Sequence, residues 1–168
     1  LLKLLMRFWD VQKGAVRISG QDVRDIQTAA LREMTSYVTQ DTVLFRDTIA
    51  KNIAVAKLDA TQAEIEAAAA KASIHDFIMS LPKGYETELG ALGDRLSGGE
   101  KQRIGLARAF LHEADFILLD EPTSNLDVLN EGIILKSLSA EKEGKTIVLV
   151  SHRQSTLSIA DCRYHMDN

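Results

Sequence analysis

At 168 residues the chain is long enough for one domain with its own core and too short for two of ordinary size. Hydrophobic residues at 45% and charged residues at 26% are ordinary for a globular protein, and a net charge of −4 gives no electrostatic reason to expect nucleic acid as a direct partner. The one cysteine, Cys162, rules out an internal disulfide framework, suits a reducing compartment and reads as a packing residue rather than a nucleophile.

No apolar run approaches the roughly 18 residues needed to cross a bilayer, and the first residues lack the basic-then-apolar layout of a signal peptide. Residues 1–8 (LLKLLMRF) read as the body of an amphipathic helix without a capping residue ahead of it. Residues 161–168 (DCRYHMDN) alternate apolar and polar and stop at a turn-forming Asp-Asn pair. Both ends look cut, so the chain is expected to be an excerpt of a longer polypeptide. GAVRISG (residues 14–20) reads as a short strand, and TSYVTQ ends a second at Gln40. Residues 60–80 turn helical: Thr61 with Glu64 forms a capping box, an alanine-rich run follows, and Pro82 and Gly84 end it.

A mixed loop over residues 85–95 leads into LSGGEKQRIGLARA (residues 96–109), a glycine turn opening an amphipathic helix. Ile104, Ala107 and Leu111 share one face of that helix, with Lys101 and Arg108 off it. FILLDEPTSNLD follows: an apolar run over residues 116–119 that ends in two acids, as suits a strand buried on both faces of a parallel sheet. After a helical stretch near residues 129–138, TIVLVSH repeats the device. Strand, helix and strand with polar groups at the carboxyl ends is the layout of an open α/β sheet.

The chemistry-bearing residues each have a bland reading beside a functional one. Asp120 at a strand tip suits Mg²⁺ held partly through water, and Glu121 beside it suits polarising an attacking water. Any buried strand also needs polar residues where it meets solvent. Ser97, Gly98 and Gly99 open backbone N–H groups to an anion at a helix N-terminus, whereas Ser97 with Glu100 is also a capping box with a purely structural use. His152 suits contact with a terminal phosphate or a structural hydrogen bond. Gln40 suits orienting water, ligating a metal through its carbonyl oxygen, or merely sitting in a loop. Gly144-Lys145-Thr146 imitates the tail of a lysine-bearing phosphate loop, but Ser139 stands where the first glycine is required, and the tripeptide opens a strand. It reads as a turn.

The order and spacing of these segments resemble the nucleotide-binding domain of ATP-binding cassette (ABC) transporters, over essentially the whole chain. The resemblance implies an α/β fold of the P-loop NTPase type, with a helical subdomain over approximately residues 48–110 and without its N-terminal Walker A part. It implies that Gln40 is the Q-loop glutamine near Mg²⁺. It makes Leu96, Ser97, Gly98, Gly99 and Glu100 the signature motif, Asp120 the Walker B metal-side acid and Glu121 the catalytic carboxylate. Ser124 through Asp127 become the D-loop, and His152 the switch histidine. QDTVLFRDTIAKNI (residues 40–53) and FIMSLPKGYETELG (residues 77–90) resemble the exporter branch, whose membrane domain is usually fused upstream.

In this family the signature turn serves ATP held by another subunit, which accounts for a phosphate-binding turn without a lysine. The lysine belongs to the Walker A loop, expected just ahead of Leu1. The implied cofactors are ATP and Mg²⁺. The implied partners are a second nucleotide-binding domain, closing head to tail on two ATP molecules, and a transmembrane domain that places the assembly on the cytoplasmic face of a membrane. Alone, the 168 residues are expected to bind ATP poorly and hydrolyse it negligibly. Three departures stand out: Ala91 where exporters often have glutamate, Asn125 for a common D-loop alanine, and RFWDVQKG for an RFYDPTSG-like stretch. The family's closing G-x-I-x-E-x-G turn is not reached by Asn168, as expected of an excerpt. A non-transport ABC-type ATPase and a degenerate non-catalytic module are the competing readings; retention of both Glu121 and His152 argues against the second.

Overall fold

Three parallel strands form the platform: β3 (Thr35–Val38), β4 (Phe116–Asp120) and β5 (Thr146–Val150), in the order β3-β4-β5. The computed structural model describes residues 1–90 and 96–165. Strand β4 lies in the middle with Ile117, Leu118 and Leu119 fully buried, which is why its sequence runs apolar without alternation. Tyr37 stands opposite Leu118, and Asp120 opposite Val150.

Side chains alternate across the sheet. On one face Leu118, with Tyr37, Phe116, Val148 and Val150, packs on Leu2 and Met6 at helix α1 (Leu2–Leu5). On the other, Val38, Ile117 and Leu119 join the main core with helices α3 (Ile49–Ala54), α4 (Gln62–Lys71), α5 (His75–Ser80), α6 (Gly98–His112) and α7 (Val128–Ala140). The expected strand at residues 14–20 shrinks to β1 (Arg17–Ile18), hairpinned to β2 (Gln21–Asp22). Ser19 and Gly20 both take positive φ there, the two-residue turn that matches strand twist. A short helix, α2 (Thr28–Glu33), then leads into β3.

Four sequence expectations are revised. The helical run over residues 60–80 keeps its capping box at Thr61 and Glu64 but breaks at Ser73, where φ is +54° and the chain turns Ile74 fully into the core. An alanine-rich pattern fits either one helix or two. Helix α6 is not amphipathic: Gly99, all of residues 102–107 and residues 109–111 are buried, because the helix is enclosed by α3, α4, β3 and α7. Even Arg108 is drawn inward. It donates to the carbonyls of Asn52 and Val43 (2.6 and 2.7 Å) and to Asn52 Oδ1 (2.9 Å), and it lies 5.6 Å from the Phe45 ring centroid. Residues 161–165 form no strand, and Cys162 is exposed rather than packed. Ala91 and the final Asp-Asn pair lie outside the described residues.

Candidate functional site

Parallel strands deliver their carboxyl ends to one edge. Gln40 lies two residues beyond β3, Asp120 closes β4 with Glu121 next, and His152 lies two residues beyond β5. Glu121 turns the chain with φ at +50°, an uncommon left-handed conformation for a side-chain-bearing residue. Its N–H donates to Val150 O (3.0 Å), and its carbonyl accepts from the backbone N–H and hydroxyl of Ser124 (3.2 and 3.1 Å). The strained turn brings Glu121 Oε1 to 2.9 Å from His152 Nε2; the histidine side chain is 90% exposed and the glutamate 18%. Two residues picked singly from the sequence thus form one pair.

Asp120 is held from the neighbouring strand. The Tyr37 hydroxyl donates to its Oδ2 at 2.9 Å. Burial, then the adjacent carboxylate, push the phenol up to about 12, so Tyr37 is a neutral donor at ordinary pH. Mg²⁺ asks for a few hard oxygens and keeps part of its water shell. The Asp120 carboxylate and the Gln40 side-chain carbonyl are donors of that kind. Among the described residues no group of three or more His, Cys, Asp or Glu could cage a metal. Two hard-oxygen donors fit an ion that takes its remaining ligands from water or phosphate.

The glycine turn at residues 97–99 is built as a cap. Ser97 Oγ accepts from the Glu100 N–H (3.3 Å), and Glu100 Oε2 accepts from the Ser97 N–H (2.7 Å), so Glu100 is committed to the helix end. Leu96 packs against the core, while Ser97 and Gly98 are exposed. Gly99 is pressed on Asn130, where an added Cβ would lie 2.4 Å from Oδ1. Asp127 caps α7, accepting from the Asn130 N–H (3.0 Å) and Nδ2 (2.6 Å), and these donors hold its carboxyl below the ordinary range. Asn130 Oδ1 in turn accepts from Arg103 Nη1 (2.7 Å), which ties α6 to Asp127.

Two further straps were not read from the sequence. Gln102 Nε2 donates to Thr39 O (3.2 Å) and its Oε1 accepts from Thr42 Oγ1 (3.0 Å), fixing both flanks of Gln40 on α6. Arg153, next to His152, donates to the carbonyls of Ser124 and Leu126 (3.1 and 3.0 Å) and to the buried Glu131 carboxylate (2.6 Å). Ser155, first among its donors, and Arg153 hold that carboxyl below its ordinary range against the cost of burial. Adjacency to His152 was the only sequence signal for Arg153; Tyr37 had none, because its contact depends on strand register. Gln40, Glu121, Ser124 and Gly98 line a common cavity of about 190 Å³, whose walls do not include Ser97, Asp120 or His152.

The sequence pattern of the ABC transporter family matches residues 1–124. The chain belongs to the ABC transporter family. A Haemophilus influenzae protein described as "Probable ABC transporter ATP-binding/permease protein" is 60% identical over 161 residues, covering 96% of this chain and 29% of that protein. Human ATP-binding cassette sub-family B member 6 is 49% identical over 161 residues, covering 96% of this chain and 19% of its own length. The solved structure of a bacterial Atm1-family ABC exporter with ATP bound matches with a TM-score of 0.89 and 43% identity, covering 95% of this chain and 28% of that one. The ABC chain therefore spans less than a third of the length of these relatives, and its α/β fold is that of an ABC ATPase domain.

Proposed function

We propose that these residues hydrolyse ATP for an ABC exporter, within a polypeptide that also carries a membrane-spanning part. The observation that carries this reading is the pairing of Glu121 with His152 beside Asp120, at one edge of the sheet. The relatives support it: several are named as ATP-binding/permease proteins. Among the described residues no helix is long and apolar enough to cross a membrane, so the span belongs elsewhere in such a protein.

Mg²⁺, when bound with ATP, would neutralise charge on the phosphates. Asp120 and Gln40 would hold its hydration shell, and Glu121 orients water for in-line attack on the γ-phosphorus and accepts its proton. His152 Nε2 meets Glu121 Oε1 at 2.9 Å. A γ-phosphate within reach of His152 competes for that nitrogen and frees the carboxylate for water. Ser97 and Gly99 offer a hydroxyl and a backbone N–H to the γ-phosphate held by a second copy, closed head to tail. Asp127 and its Asn130 and Arg103 partners keep the signature helix and the D-loop in register for that closure.

Glu121→Gln tests the assignment. In the full-length protein it is expected to lower turnover roughly 10²-fold or more, as loss of a principal proton-transfer group does, while ATP still binds and the dimers persist. Turnover at the parent rate would refute the role.

A further inference from the structure

We infer that Tyr37 is a positioning residue for the metal-side carboxylate, its hydrogen bond to Oδ2 fixing how Asp120 faces the cation's hydration shell. The inference rests on the ATPase reading above and adds to it a residue that neither the motif spacing nor the family resemblance singles out.

Three observations carry it. In the parallel pairing Tyr37 lies opposite Leu118, so Asp120, two residues further along β4, projects from the same face of the sheet as the tyrosine. The phenol ring is itself immobilised. It packs with Leu2, Met6 and Leu118, and Phe8 meets it edge-on at 6.2 Å between centroids with an interplanar angle of 72°. The hydroxyl therefore sits at the end of a fixed lever, and it donates to Oδ2 at 2.9 Å. A carboxylate at a strand tip otherwise rotates about two side-chain bonds; one donor from a rigid neighbour holds it in a single orientation.

The same hydrogen bond has two opposed effects on a cation. It withdraws some charge from the carboxylate, which weakens attraction, and it removes rotational freedom, which favours binding. Loss of outer-shell partners of ligating carboxylates typically weakens metal affinity by about 10–100-fold, so orientation outweighs charge. Because ATP phosphates grip the same ion, the expected effect here is smaller, about 3–10-fold.

The test uses the full-length protein carrying Glu121→Gln, with and without Tyr37→Phe, and reads ATP affinity without hydrolysis. The affinity is measured in EDTA and in Mn²⁺, the ratio giving the metal-linked gain, with the bound Mn²⁺ followed by its paramagnetic resonance. Tyr37→Phe keeps the ring and removes only the hydroxyl. The expected result is a metal-linked gain reduced about 3–10-fold with metal-free affinity unchanged. An unchanged gain overturns the inference. Equal losses with and without metal also overturn it, since they would mark Tyr37 as a packing residue. If the Glu121→Gln parent binds no ATP at all, the ATPase reading fails first and the role of Tyr37 falls with it.

Discussion

Gly99 is the position where the structure predicts the most from a single methyl group. An alanine Cβ there would lie 2.4 Å from Asn130 Oδ1, 2.6 Å from Cγ and 3.0 Å from Cβ. Either the first turn of α7 moves or the amide rotates away. Forced overpacking of this kind costs about 2 kcal/mol. Rotation also breaks the bond from Arg103, which is only 7% exposed and whose Nε already has no partner among the described residues. Leaving a buried donor unsatisfied costs about another 2 kcal/mol. Alanine's helix propensity returns at most about 1 kcal/mol, so Gly99→Ala is expected to destabilise by about 3 kcal/mol. Asn130→Ala alone should cost about 2 kcal/mol through the same orphaned guanidinium, and it removes Oδ1 and Cγ, the two atoms that the methyl group added at position 99 would strike hardest. In urea unfolding of the purified chain followed by circular dichroism, the double variant should therefore be about 4 kcal/mol more stable than the sum of the single effects predicts, because the overpacking is relieved and the orphaned guanidinium is counted once. Additivity within about 0.5 kcal/mol would refute the packing argument.

Arg153→Ala leaves the Glu131 carboxylate, 6% exposed, with hydroxyl donors alone, and is expected to destabilise by about 3 kcal/mol near neutral pH. Glu131 is held below its ordinary range in the folded chain, so its ionised form contributes stability above about pH 4.3, lost as pH falls through the folded value. The gap between parent and Arg153→Ala should shrink in acid below about pH 4; a gap of constant size from about pH 7 down to about 3 would contradict the pairing. Cys162, being exposed, should react fully with a thiol reagent under native conditions. A requirement for denaturant would contradict its placement.

What the sequence made legible follows from where the forces are local. The capping boxes at Thr61 and Ser97 are set by residues three apart, and both are present. The apolar run of β4 is its own record of burial on two faces. The edge that gathers Gln40, Asp120, Glu121 and His152 follows from parallel strands, which the alternation of strand and helix implied. What escaped depends on distant partners. Arg108 reads as a surface charge until Asn52 and Val43, 56 and 65 residues away, supply its acceptors. The role of Tyr37 requires the register of β3 on β4, which no local pattern encodes. The break at Ser73 turns on the burial of Ile74 rather than on helix propensity. Cys162 is exposed against expectation because a lone cysteine's average burial says little about any single position.

The central claim is that the glycine turn and the carboxylate pair of one chain serve different nucleotides. It is tested most directly by determining the structure of the full-length Glu121→Gln protein with ATP and Mg²⁺. The account predicts that each γ-phosphate meets Ser97 and Gly99 of one copy while Asp120 and His152 of the other copy flank it. Finding Ser97 and Asp120 of a single copy on the same nucleotide would contradict it.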